Sequence, residues 1–363
     1  ECHEKAAAEE HEDLPLVDCR QCHAPHDEKV IHDAHTRVAC TACHQRDGIA
    51  VVDPASGEVI FGGKMLAGQN PLPHQMVLEK GDALCRNCHF KGNDLGASSM
   101  ILPAKGILCM PCHVATFSIG DRVTVFSLLI FAVGMSGLGV IWLSGAKSES
   151  SGHRCRSGLR PLMVAMVTDV LFIKRLYRLS PSRWVIHALI YYPILIRLAF
   201  GMMALGLSLF LPETELAGAM LDKNHPFRAL LFDLTGLMIL TGATAALLRS
   251  KKGRGMVTHL PAPGLAMTAL LGLIALVGFL LEGLRIAMTG WPGGAHYAFM
   301  GYGVSLLVNG MTGITNIYGY VWYVHAVLAG TFGALIPFTR MIHIITAPVV
   351  LMADARSAVQ QNH

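Results

Sequence analysis

Charge is scarce in this sequence. Asp, Glu, Lys and Arg make up 15% of 363 residues, where ordinary soluble domains carry roughly 25%. With 52% hydrophobic residues as well, a chain wrapped wholly in water is excluded. The formal net charge is only +4, and much of the Arg and Lys flanks apolar runs, so membrane topology explains it better than nucleic acid does. Cysteine is nearly missing after residue 118: nine of the ten come before the first apolar block, and Cys155 stands alone beyond it. Apolar periodicity is poor in residues 1–118, and Gly, Pro and Asn are frequent between Gly48 and Leu102. A conventional hydrophobic core is therefore not expected there.

What that polar segment does contain is one pattern repeated. Cys19-Arg-Gln-Cys22-His23, Cys40-Thr-Ala-Cys43-His44, Cys85-Arg-Asn-Cys88-His89 and Cys109-Met-Pro-Cys112-His113 all read C-x-x-C-H, the attachment signature of c-type haem. The spacing lets two thioethers reach one porphyrin, and the adjacent histidine lies under the iron as proximal ligand. Zinc would use the cysteines in fours and leave each following histidine unexplained. Cys2-His3 has the form of the end of another such motif: either the chain continues upstream and a fifth haem is expected, or Cys2 is a lone cysteine at a processed terminus. Candidate distal ligands are His11, His26, His32, His35 and His74, with Met65, Met76, Met100 and Met110 as weaker ones. Haem c is attached outside the cytoplasmic membrane, so residues 1–118 are expected to be an exported, haem-packed, loop-rich domain.

Apolar runs follow at 123–144, 184–211, 227–248, 262–288 and 317–350. Each is long enough to cross a hydrocarbon core as a helix, which satisfies its own backbone groups there. The loop 145–183 carries Lys147, Arg154, Arg156, Arg160, Lys174, Arg175, Arg178 and Arg183, and Arg249–Arg254 is also basic. By the positive-inside rule both loops are cytoplasmic, which puts residues 1–118 outside and the C-terminus inside. Residues 162–179 read as an interfacial helix. The expected architecture is an all-α, five-helix transmembrane bundle over residues 119–352 of cytochrome b type, with a cytoplasmic tail at 353–363.

Ionisable groups inside a membrane are costly and usually functional. His187 lies near the inner end of the second run, and His325 and His343 lie in the fifth, eighteen residues apart. On one straight helix that interval is five turns, placing both on one face about 27 Å apart. Depth pairs His187 with His343 as ligands of one haem b. For a second haem, His325 needs an outer partner: three turns beyond His187 stands Arg197, suited to a haem propionate or a quinone rather than to iron, while His225 is the alternative ligand. Asp233, Glu282 and His225 are candidate proton-handling groups.

The segment His187-Ala-Leu-Ile-Tyr-Tyr-Pro-Ile-Leu-Ile-Arg197-Leu-Ala-Phe-Gly201, with His325 and His343, resembles the gamma subunit of respiratory nitrate reductase. It resembles still more the menaquinol-linked subunits of transmembrane redox complexes in sulfate-reducing bacteria, over roughly residues 121–350. The resemblance implies that His187, His325 and His343 match haem ligands, whereas Arg197 stands where the family has a fourth histidine. It also implies electron exchange with menaquinol or menaquinone, a cytoplasmic iron–sulfur partner similar to heterodisulfide reductase, and a periplasmic cytochrome c or other extracytoplasmic redox subunit. The expected protein is thus a multi-pass subunit in the cytoplasmic membrane carrying four or five haem c, one or two haem b, and menaquinone as substrate. An electron conduit without a quinone site, and an anchor subunit carrying only c-type haem, are the competing readings. A catalytic multihaem reductase would need an open iron site and substrate-binding residues, and the sequence names neither.

Overall fold

The computed structural model describes residues 35, 38, 50–52, 59–61, 85–119, 121–146, 159–212, 214–252 and 263–360. A short antiparallel hairpin comes first, β1 (Ala50–Val52) and β2 (Val59–Phe61), in the register Ala50↔Phe61, Val51↔Ile60 and Val52↔Val59. Helices α1 (Arg122–Ala146), α2 (Leu159–Ala165), α3 (Lys174–Leu179), α4 (Pro181–Phe210) and α5 (Glu215–Leu221) follow. They lead into α6 (Pro226–Lys252), α7 (Pro263–Met288), α8 (Phe299–Leu307), α9 (Ile314–Leu335) and α10 (His343–Gln360). The described residues from Arg122 onward form a multi-pass, all-α membrane bundle. Four stretches, Arg122–Ser144, Pro181–Phe210, Glu215–Ser250 and Gly264–Met288, are long and apolar enough to cross a bilayer.

Local chemistry sets the helix starts. Asp121 caps α1: one carboxylate oxygen accepts from the Thr124 backbone N–H at 2.9 Å and the other from the Thr124 hydroxyl at 2.6 Å. Pro181 opens α4 at a position where its missing N–H costs no bond. Thr214 caps α5 by accepting from Ala217 at 3.3 Å.

The fifth run does not form one helix. α9 stops at Leu335, Arg340–Ile342 is a 3-10 turn, and the segment Arg340–Met352 leaves at 77° to α9. Pro337 explains the break, because it lacks an N–H and disfavours helical geometry in the residue before it. His325 and His343 therefore do not share one helix face, and the expected 27 Å spacing along a single axis is corrected. The interfacial segment is also broken. A π-helical stretch, Met166–Leu171, extends α2, and Ile173 then takes a left-handed conformation (φ 52°) before α3. Side chains of α4 occupy the carbonyls this leaves: Tyr191 donates to Val170 at 3.1 Å and Trp184 to Phe172 at 3.2 Å.

The chain divides into two compact units. One contains residues 1–118, 197–234 and 278–324; the other contains 119–196, 235–277 and 325–363. In the first, Val114, Phe200, Ala204 and Met220 form a buried cluster, and Met110 and Ala115 pack with Leu205. Gly201 is required here, since a Cβ would lie 2.9 Å from the His113 carbonyl oxygen. In the second unit, Gly330 of α9 meets Val123 and Ser127 of α1, and Gly134 meets Pro337 and Phe338. Both contact sets advance in the same chain direction, so α1 and α9 run parallel. α10 packs on α2 and its π-helical extension.

Candidate functional site

The two described C-x-x-C-H segments adopt the same backbone form. His89 N–H donates to the Cys85 carbonyl and His113 N–H to the Cys109 carbonyl, each at 2.9 Å. Each segment is thus one helical turn, which brings its first cysteine beside its histidine. The His89 ring shares a hydrogen bond of 2.7 Å with the Ser98 carbonyl and faces His35 edge-on, with centroids 6.2 Å apart. Asn93 fastens the loop that supplies Ser98. Its amide nitrogen donates to Phe90 and Ala97 and its oxygen accepts from Leu95 and Ala97, so this buried side chain uses its full bonding capacity. Burial pushes the Cys88 thiol above its usual value, with help from Cys85. Burial raises Cys112 too, and the positive charge of Arg197 pulls it partly back.

The same unit holds a charged group between helices. Asp233 on α6 is 3% exposed and accepts from the Met300 N–H at 2.6 Å, which ties it to the start of α8. Glu282 and Arg285, one turn apart on α7, form a two-bond ion pair at 2.7 and 3.2 Å. Arg197 donates to the Phe232 carbonyl and lies 5.1 Å from the centre of the Phe232 ring. Arg228, 4% exposed, lies over that ring at 5.5 Å and donates to the Met220 and Leu221 carbonyls. Asp233 lies in the electrostatic field of both Glu282 and Arg197. His225 begins the turn before α6, and its Nδ1 is buried with no hydrogen-bond partner.

In the second unit, His187 of α4 and His343 at the first position of α10 come together, with centroids 6.1 Å apart and planes at 58°. Tyr191 flanks His187 at 5.8 Å. His187 Nδ1 is buried without a hydrogen-bond partner, whereas His343 Nδ1 shares a bond of 2.7 Å with the Arg340 carbonyl. His325 lies on α9 in this unit, while His225 belongs to the other. Cys2, His3, His11, Cys19, Cys22, His23, His26, His32, Cys40, Cys43, His44 and His74 lie outside the described residues.

The metal-binding expectation is overturned for the described residues. Among them no three His, Cys, Asp or Glu side chains converge so as to hold a metal ion, and Cys85, Cys88, Cys109 and Cys112 form no disulfide. On that finding the haem c groups expected at Cys85–His89 and Cys109–His113, and the haem b groups expected at His187, His325 and His343, are withdrawn, with the cytochrome and iron terms drawn from them; the haem c groups expected at Cys19–His23, Cys40–His44 and Cys2-His3 lie outside the described residues. Sequence reasoning also missed Arg228 and Arg285. The available signal was an arginine inside an apolar run, three residues after a glutamate in the case of Arg285. No family model, curated protein or solved structure matches the chain.

Proposed function

We propose that this chain is the membrane subunit of a respiratory complex, exchanging electrons between a menaquinol/menaquinone pool and redox partner proteins. The observation that carries the reading is the meeting of His187 and His343, two imidazoles from separate helices of a membrane bundle, with a buried ring nitrogen left unbonded. Ionisable side chains at such positions mark ion, proton or substrate pathways. Menaquinol oxidation releases two electrons and two protons, and in lipid the protons need a base within reach. A neutral imidazole takes up a proton near neutral pH. Tyr191 beside His187 adds a hydroxyl to the same neighbourhood, although in the resting structure it donates to Val170.

The resemblance of residues 121–350 to the gamma subunit of nitrate reductase, and to menaquinol-linked subunits of sulfate reducers, supports the same reading. The basic loops 145–183 and 249–254 support an orientation with the C-terminus in the cytoplasm and residues 1–118 outside. A cytoplasmic iron–sulfur subunit and an extracytoplasmic redox protein are the partners proposed on the two sides.

The test is oxidation of a menaquinol analogue by anaerobic membranes that hold the full chain with its redox partners and an added soluble electron acceptor, followed by the quinol's own ultraviolet absorbance with and without a quinol-site inhibitor. Inhibitor-sensitive oxidation that depends on the chain is the expected result. Oxidation no faster than in membranes lacking the chain would overturn the proposal. Chain-dependent oxidation indifferent to saturating inhibitor would favour a plain conduit between proteins.

A further inference from the structure

The outward side of the α1–α9 contact carries a groove. Its volume is about 610 Å³, and its walls include Phe126, Ile130, Val327, Ala334 and Leu335, with Arg122 at one end. That size lies in the range of ligand sites, and the groove opens outward: Phe126 is 66% exposed and Val327 51%. The floor exists because Gly330 lets the helices close, a Cβ there lying 2.8 Å from the Val123 side chain. Arg122 is the first residue of the spanning stretch Arg122–Ser144, so its guanidinium stands where α1 leaves the hydrocarbon. It is exposed and makes no hydrogen bond or ion pair among the described residues. The nearest acid in sequence, Asp121, turns its carboxylate oxygens to Thr124 and forms no ion pair with Arg122 among the described residues.

An apolar channel entering the lipid phase beneath an unpaired guanidinium matches one occupant in both parts. We infer that the groove is a binding site for an anionic phospholipid, with one acyl chain between α1 and α9 and the phosphate on Arg122. Guanidinium binds phosphate oxygens through paired N–H donors. A neutral quinone head would fit the groove but leave the charge unanswered, and a zwitterionic lipid would answer it only in part. The inference is independent of the electron-transfer proposal.

The full chain is purified in mild detergent, stripped of lipid and titrated in native mass spectrometry. The probes are phosphatidylglycerol and phosphatidylcholine with identical acyl chains. One phosphatidylglycerol is expected to bind about tenfold more tightly than phosphatidylcholine. Arg122→Gln should abolish that preference without changing phosphatidylcholine binding, and Arg122→Lys should keep most of it. Val327→Trp, which fills the groove from its exposed side, should weaken both lipids. Equal binding of the two lipids by the unmodified chain would overturn the inference. So would an undiminished preference in Arg122→Gln, or displacement of phosphatidylglycerol by one equivalent of menaquinone.

Discussion

In the unit made of residues 1–118, 197–234 and 278–324, three guanidinium groups set between helices end on something. Arg285 meets Glu282, Arg228 meets two carbonyls, and Arg197 meets a carbonyl and an aromatic face. In the unit made of residues 119–196, 235–277 and 325–363, the polar centre is a histidine pair with a bare ring nitrogen on His187. The two arrangements carry different energetics. Charges with good partners hold helices in register, and removing one partner leaves the other stranded in a poor solvent. An imidazole stays neutral at modest cost and keeps a lone pair or proton available. The guanidinium contacts hold the first region as it is, although His225 there also keeps a bare ring nitrogen, and the second region's bare nitrogen belongs to a facing pair of imidazoles.

Breaking the Glu282–Arg285 pair gives the largest expected effect. Arg285→Leu should destabilise the fold by about 3 kcal/mol, the low end for a buried pair because the Glu282 side chain keeps 28% exposure. The double variant Glu282→Leu/Arg285→Leu should recover most of the loss in thermal unfolding. A double variant as unstable as the single would show that the pair does not act as a unit. In the other unit, His187→Ala should leave stability nearly intact while lowering menaquinol oxidation at least about tenfold. His343→Ala should do the same, with the double variant no worse than either single, as expected when residues act together. Equal loss of stability and activity in the two units would erase the contrast between them.

A smaller effect sharpens the description of the first unit. Asn93→Ala strips four hydrogen bonds from the loop carrying Ser98 and should cost about 1–3 kcal/mol, read as faster proteolysis between Phe90 and Ser98. Smaller again is the thiol chemistry. Intact-mass measurement should find no added mass on the peptides carrying Cys85, Cys88, Cys109 and Cys112, and a covalent porphyrin mass on either peptide would reverse the cofactor correction. Because burial raises the Cys112 thiol, it is protonated at neutral pH. Its alkylation should keep climbing with pH after an exposed thiol has levelled off. Arg197→Gln removes the charge that favours the thiolate, so alkylation at a given pH should slow further.

Much of the membrane architecture was legible because continuous apolar runs leave a helix little alternative in lipid. Runs beginning near residues 123, 184, 227 and 262 became α1, α4, α6 and α7. The break after α9 was not legible in hydropathy. Ile336, Phe338 and Ile342 are as apolar as their neighbours, and only Pro337 among them signals a stop. The kink at Ile173 gave no signal, since a β-branched residue is a rare choice for the left-handed region. At the candidate site, the individual histidines and acids could be named from the sequence. The partnership of Glu282 with Arg285 needed the helix in three dimensions, as did the anchoring of Asp233 on α8.

The turn at Pro337 has a mechanical consequence. Arg340–Met352, at about 1.5 Å per residue, is near 20 Å long and too short to bridge the bilayer alone. Beyond Met352 the helix carries Asp354 and Arg356, so α10 is an arm set off at an angle from α9 and packed against α2. His343 sits at the start of that arm, so the tilt of the arm sets the gap to His187. Any protein that grips the far end of α10 gains a handle on that gap.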